Sequence, residues 1–156
     1  MPRWWLVGGA EACRVDLSGQ VPGVDGCGIP VWSVPLDGLA TAWAGLGSAP
    51  VGAPATRLLD AMRAEPFHVA GSDRACTRII RAASGSTVVK TGAEGVFCAA
   101  LPVDGLGLAL KVRDGARRAA DAAVGHLLTE LGRLPDGGPD VLRNRAGTVV
   151  GQVRVA

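Results

Sequence analysis

STVVKTGAEGVFCAALPVDGLGLALKV, residues Ser86 to Val112, carries the pattern that decides the fold. Its apolar residues alternate with a period of two, the spacing of a half-buried strand. Ser86 to Lys90, Val96 to Leu101 and Leu106 to Val112 read as successive strands. In the last of them Leu106, Leu108, Leu110 and Val112 share one face, and Gly107, Ala109 and Lys111 share the other. Val103-Asp104-Gly105 is a hairpin-turn signal. Runs this close along the chain predict an antiparallel meander.

Helical periodicity surrounds this stretch. Leu36, Leu39, Ala40, Trp43 and Leu46 recur at the spacing of an amphipathic helix, which Gly47-Ser48 and Pro50 end. Pro54 suits the first turn of a second helix, with Leu58, Leu59 and Met62 on its apolar stripe and Pro66 as its stop. Ser72 is positioned to cap a third helix bearing Ile79, Ile80 and Ala83, closed by Ser84-Gly85. After Asp114-Gly115, a helix is expected over about Arg117 to Leu131, its buried side formed by Ala120, Ala123, Val124, Leu127, Leu128 and Leu131. Ile29 to Trp32 reads as a short extended run, Leu134 to Pro139 as a loop and Thr148 to Val155 as a last strand. Residues 1–23 show no clear period and read as irregular. The expected class is therefore α+β, an antiparallel sheet with helices packed against it.

The chain has 156 residues, 48% of them hydrophobic and 19% charged, which suits one domain with its own core. Net charge is +2 and the basic residues are scattered, so there is no electrostatic footprint for nucleic acid. No apolar run approaches the ~18 residues of a membrane span. Cys13, Cys27, Cys76 and Cys98 form no C-x-x-C pair, and a chain of this length folds without disulfides. The N-terminal segment lacks the basic start of a signal peptide. These features point to reduced thiols and a cytoplasmic protein.

Only Lys90 and Lys111 are lysines among the 16 basic residues. Arginine does not deprotonate in proteins, so any amine base must be one of the two. Lys90-Thr91-Gly92 is a K-T-G, a triplet found in serine β-lactamases together with S-x-x-K and S-D-N. None of the six serines, at 18, 33, 48, 72, 84 and 86, has a lysine three residues on, and no S-D-N occurs. The triplet alone does not make that enzyme. Two readings of Lys90 stand: a site residue at a strand end, or a lysine that blunts a sheet edge. Glu94, among Gly92, Ala93 and Gly95, is free to fold back onto Lys90 as a salt bridge, or to sit solvated in a turn. In VDGCG, Val24 to Gly28, Asp25 and Cys27 alternate and in an extended segment point the same way. A thiol with a neighbouring carboxylate suits a metal ligand and its supporting partner; a glycine turn with a small cysteine is the plainer reading. His68 and His126 have no zinc spacing, and Cys76 and Cys98 read as small core residues.

VDGCGIPVWSVPLDGLATAWA, MRAEPFHVAG, VVKTGAEGVFCAALP, GLGLALKVRDGA and the closing GTVVGQVR, in that order, resemble the C-terminal half of the asparaginase II family, the rhizobial type of L-asparaginase. The resemblance runs from about Val24 to the end and divides the chain into a non-family segment, 1–23, and a family portion, 24–156. It implies a fold similar to serine β-lactamases and glutaminases. It also implies hydrolysis of asparagine to aspartate and ammonia by serine–lysine pairs, with a zinc site of cysteine and lysine ligands. By resemblance Lys90 is the lysine of such a pair, Cys27 a zinc ligand and Asp25 its acidic neighbour.

The departures shape the expectation. The S-x-x-K nucleophile and the C-S-G-K-H zinc segment of the family's first half have no match here, and Arg74-Ala75-Cys76-Thr77 has cysteine where the family has an acidic residue. One cysteine does not hold a catalytic zinc, and a base without a nucleophile does not start covalent hydrolysis. The expectation is a truncated amidohydrolase, inactive unless another chain supplies the missing half. It should expose apolar surface there and self-associate through it. A non-catalytic module that self-associates or binds a partner is the alternative.

Overall fold

In the computed structural model, which describes residues 3–138 and 140–155, the chain opens with helix α1 (Arg3–Cys13). A small hairpin follows, β1 (Gly23–Val24) and β2 (Pro30–Val31). Four helices come next: α2 (Leu36–Gly47), α3 (Pro54–Ala64), α4 (Pro66–Ala70) and α5 (Ala75–Ala82). The meander is β3 (Val88–Thr91), β4 (Val96–Leu101) and β5 (Leu106–Lys111). Helix α6 (Arg117–Glu130) and a second hairpin, β6 (Asp140–Arg143) with β7 (Val149–Val153), complete the chain. The class is α+β, as expected.

The meander pairs antiparallel in the order β3-β4-β5. Its register sets the faces, because residues directly opposite each other in a ladder point the same way. Val88 pairs with Ala100 and Ala100 with Gly107; Lys90 pairs with Cys98 and Cys98 with Ala109; Val96 pairs with Lys111. These residues form one face, and apart from the valines and lysines they are small. Helix α2 lies on it. A Cβ on Gly107 would stand 2.0 Å from the carbonyl oxygen of Ala40 and 2.3 Å from the backbone nitrogen of Ala44. Farther along α2, a Cβ on Gly47 would rest 3.5 Å from the Ala100 Cβ. The helix thus touches the strand backbone, which only glycine at 107 allows.

The other face carries Val89, Phe97, Ala99 and Leu101, all fully or almost fully buried. Helices α5 and α6 cover it with Ile80, Val124 and Leu128 in one continuous core. Both faces of β4 are therefore buried, as the run VFCAAL requires. The end of α1 rests on the start of α2, where a Cβ on Gly38 would come 2.9 Å from the Cys13 carbonyl oxygen. Arg133 forks onto Asp104 through two hydrogen bonds and ties the end of α6 to the β4–β5 turn. None of the helices described is long and apolar enough to cross a membrane.

Two readings of local structure are corrected and two are extended. Within the segment expected to be irregular, Arg3–Cys13 is helix; Met1 and Pro2 lie outside the described residues. Pro66 ends α3 but also opens α4, because a proline's fixed φ and missing N–H suit a first helical turn. Ser72 caps nothing; the N-cap of α5 is Arg74 with no side-chain hydrogen bond. Instead Thr77 bonds back to the carbonyls of Gly71 (2.7 Å) and Pro66 (3.2 Å), joining α5 to α4. The strand read at the C-terminal end forms as β7 but pairs with β6, in a hairpin separate from the meander. Pro139, in the expected loop, lies outside the described residues.

The close approach makes a direct test. Gly107→Ala forces a methyl into the α2 backbone and should destabilise the chain by at least ~2 kcal/mol, read as a drop in the urea midpoint. Gly125→Ala, whose Cβ meets nothing within 4 Å, is expected to leave the midpoint unchanged or raised.

Candidate functional site

Lys90 is held on an inflexible strand. Its neighbours Val88 and Val89 are fully buried, and its register partner Cys98 lies in the middle of the sheet. The side chain projects from the face that carries α2 and is exposed. Its Nζ donates to the carbonyl oxygen of Thr91 at 2.8 Å. Lys111 stands on the same face, one row along and across β4, and its Nζ donates to the Val112 carbonyl oxygen. Both lysines of the chain therefore leave the sheet on one side.

Beside Lys90 opens a groove of about 470 Å³. Trp43 and Leu46 of α2, Met62 of α3 and Val69 of α4 form its apolar wall, and Glu65 and His68 also face it. From the other side of β3, the Thr91 backbone N–H donates to the buried Cys76 Sγ at 3.2 Å and fixes the strand end that carries Lys90. Burial raises the Cys76 thiol pKa, against smaller lowering effects of the Thr91 N–H and the Lys90 and Arg74 charges. The sequence reading placed Cys76 in the core and missed this contact. The groove was equally out of reach, since its walls come from separate helices; the signals were Trp43 and Met62 on their apolar stripes.

Glu94 does not hold Lys90. The ion pairs among the described residues are Arg63–Asp60 and Arg133–Asp104. Glu94 has φ of +52°, which turns it toward Gly115, and its Oε2 stands 2.8 Å from where a Cβ on that glycine would be. Gly95 accepts a backbone hydrogen bond from Val112 at 3.0 Å. The G-A-E-G turn is therefore packed against the Val112–Gly115 turn, and Glu94 belongs to that contact.

Cys27 and Asp25 do come together, but in a turn and not in an extended segment. The Gly28 N–H donates to the Asp25 carbonyl oxygen at 2.8 Å, with Gly28 at φ of +80°. The Asp25 carboxylate accepts from the Gly26 N–H at 2.7 Å and from the Cys27 thiol at 3.7 Å. Both residues are exposed at the tip of the β1–β2 hairpin, and neither lines the Lys90 groove. A catalytic zinc takes three protein ligands and an open position. Among the described residues no group of three His, Cys, Asp or Glu side chains is placed to hold a metal. Cys27 with Asp25 offers two donors at most, so the described residues by themselves do not fit a zinc centre.

A larger cavity, about 550 Å³, lies between α5, α6 and the β6–β7 hairpin. Arg78, Asp121, His126, Asp140 and Arg154 face it, and it holds none of Asp25, Cys27, Lys90 and Glu94. Burial pushes the Asp121 carboxyl up from its ordinary range, opposed by Arg117, Arg78 and Arg74 and aided by Asp140.

Two measurements check these environments. Burial raises the thiols of Cys13 and Cys76 and pushes that of Cys98 up to about 11, whereas Cys27 is exposed. A disulfide reagent at pH 8 should therefore titrate one thiol rapidly in the native chain and all four after denaturation. Cys27→Ser should remove the rapid one. For Asp121, the folded chain holds the carboxyl proton more tightly than the unfolded chain. Its ionisation thus costs stability as pH rises through the folded pKa. Asn cannot ionise, so the urea midpoint of Asp121→Asn, relative to the parent chain, should be more favourable at pH 7 than at pH 3.

A search of curated proteins returns no match to this chain. The family model described as L-asparaginase II matches residues 8–155. The match takes in residues 8–23 as well as the blocks from Val24 onward, so the resemblance extends into α1. On a match that spans nearly all of its length, the chain belongs to the L-asparaginase II family.

Proposed function

We propose that this chain carries the lysine side of an asparaginase-type amide-hydrolysing site, completed by a serine from outside these 156 residues. The observation that carries the reading is the placement of Lys90. It stands on a strand fixed from both sides, exposed beside a groove, with no carboxylate within 4 Å among the described residues. A serine hydroxyl becomes a nucleophile when a neighbouring base takes its proton. Among the described residues the Lys90 ammonium reaches a backbone carbonyl alone, and no serine precedes a lysine by three residues. A lysine serves as a base in its neutral form, which burial favours. A partner that covers the groove would bring both the hydroxyl and the desolvation. The substrate is an L-asparagine-like amide, and the products are the amino acid carboxylate and ammonia.

Four free thiols suit a reducing compartment, which supports a cytoplasmic site of action.

The reading is tested by coupled ammonia release from asparagine. The chain alone should release none above background. Mixed with a chain that bears S-x-x-K from the same family, it should turn over, and Lys90→Gln should abolish that turnover. Steady turnover by the isolated chain would overturn the need for a partner. Activity of the mixture undiminished by Lys90→Gln would overturn the role of Lys90.

A second reading, a self-associating or partner-binding module without catalysis, is favoured by the apolar side chains left in water at this face. Leu58 on the groove is 53% exposed and Phe67 nearby 47%. Under that reading the mixture forms a complex or the chain self-associates in sedimentation, and ammonia is absent in every combination.

A further inference from the structure

The groove beside Lys90 has a composition that selects a ligand by itself. Its size, about 470 Å³, falls within the range of small-molecule sites. Trp43, Leu46, Met62 and Val69 give it an apolar wall drawn from α2, α3 and α4. Lys90 is the one ammonium or guanidinium side chain among its lining residues. An ammonium has three N–H donors, and the structure occupies one, with the Thr91 carbonyl oxygen.

Glu65 brings the opposite charge to the lining, but the two acidic and basic groups are differently held. Lys90 projects from a strand paired to Cys98 and anchored by the Thr91–Cys76 hydrogen bond. Glu65 sits at the bend between α3 and α4, at φ −129° and ψ 66°, and is exposed. The charge placed for a ligand is therefore the cation.

We propose that this groove binds a small aliphatic monocarboxylate, its tail against Trp43, Leu46 and Met62 and its carboxylate on the Lys90 ammonium. The apolar tail is what separates this ligand from asparagine, whose polar amide the wall would leave without partners. The inference goes beyond the amide-hydrolase reading and uses the isolated chain, so it stands or falls separately. Loss of all amidase activity leaves it untouched.

The chain is suited to a direct measurement, because Met1 and Met62 are its only methionines and Met62 lines the groove. With carbon-13 on the methionine methyls, titration with sodium octanoate below its micelle concentration should shift the Met62 signal, assigned by its loss in Met62→Leu, saturably. Lys90→Gln should weaken octanoate binding at least about tenfold. Octan-1-ol, which lacks the carboxylate, should bind both chains weakly and alike. Glu65→Gln, which removes the competing charge and leaves Lys90 in place, should tighten octanoate binding. Absence of a saturable Met62 shift would overturn the proposal, as would equal octanoate affinity in a folded Lys90→Gln chain. So would tighter binding of L-leucine than of 4-methylpentanoate, since that would mean a zwitterion read by Glu65 and Lys90 together.

Discussion

The contact of α2 with the backbone of β5 governs much of this structure. A helix normally meets a sheet through two layers of side chains; here a single layer is largely missing. Gly107 has no Cβ, and its row and the next present Ala100, Cys98 and Ala109. The helix carbonyl of Ala40 and the nitrogen of Ala44 occupy the space that a side chain at 107 would need. Trp43 and Leu46 of the same helix wall the groove beside β3. The long side chains of that sheet face, Lys90 and Lys111, are exposed.

Charge and chemistry then separate in space. Lys90 belongs to the packed half of the molecule, braced by Val88, Val89 and the Cys76 thiol. Cys27 and Asp25 belong to a hairpin tip held by its own turn hydrogen bonds. One is an ammonium beside an apolar groove; the other is a thiol and a carboxylate joined in one turn. What the chain's own residues support most directly is the lysine with its apolar neighbour, since both rest on rigid elements.

Legibility in the sequence followed the reach of each interaction. The meander was readable because alternation over Val96 to Leu101 and Leu106 to Val112 is local and strong. Its two faces were readable too, and with them the common side of Gly107, Ala109 and Lys111. Helices α2, α3 and α6 followed from period and from proline or glycine at their ends. Less was readable where a local rule had two outcomes. Pro66 stops one helix and starts another. Glu94, free by its glycine neighbours to reach Lys90, is turned by a positive φ into a contact with Gly115. The asparaginase resemblance singled out Lys90, Cys27 and Asp25, but no periodicity says whether residues 27 and 90 meet.

The sequence by itself determined the α+β class, the pairing order of the meander, the family and the two lysines on which any amine chemistry must rest. Those properties are carried by spacing and by residue identity, which act within a turn, a strand or a motif. The tertiary structure alone decided that Lys90 adjoins an apolar groove, that Glu94 serves a turn, that Cys76 anchors β3 and that Cys27 stands apart. Each of these depends on which surfaces pack across long separations. Side chains of α2, α3 and α4 together wall the groove, and the docking of α5 against β3 brings Cys76 to Thr91. Such distances are set by the bulk of side chains meeting from distant parts of the chain.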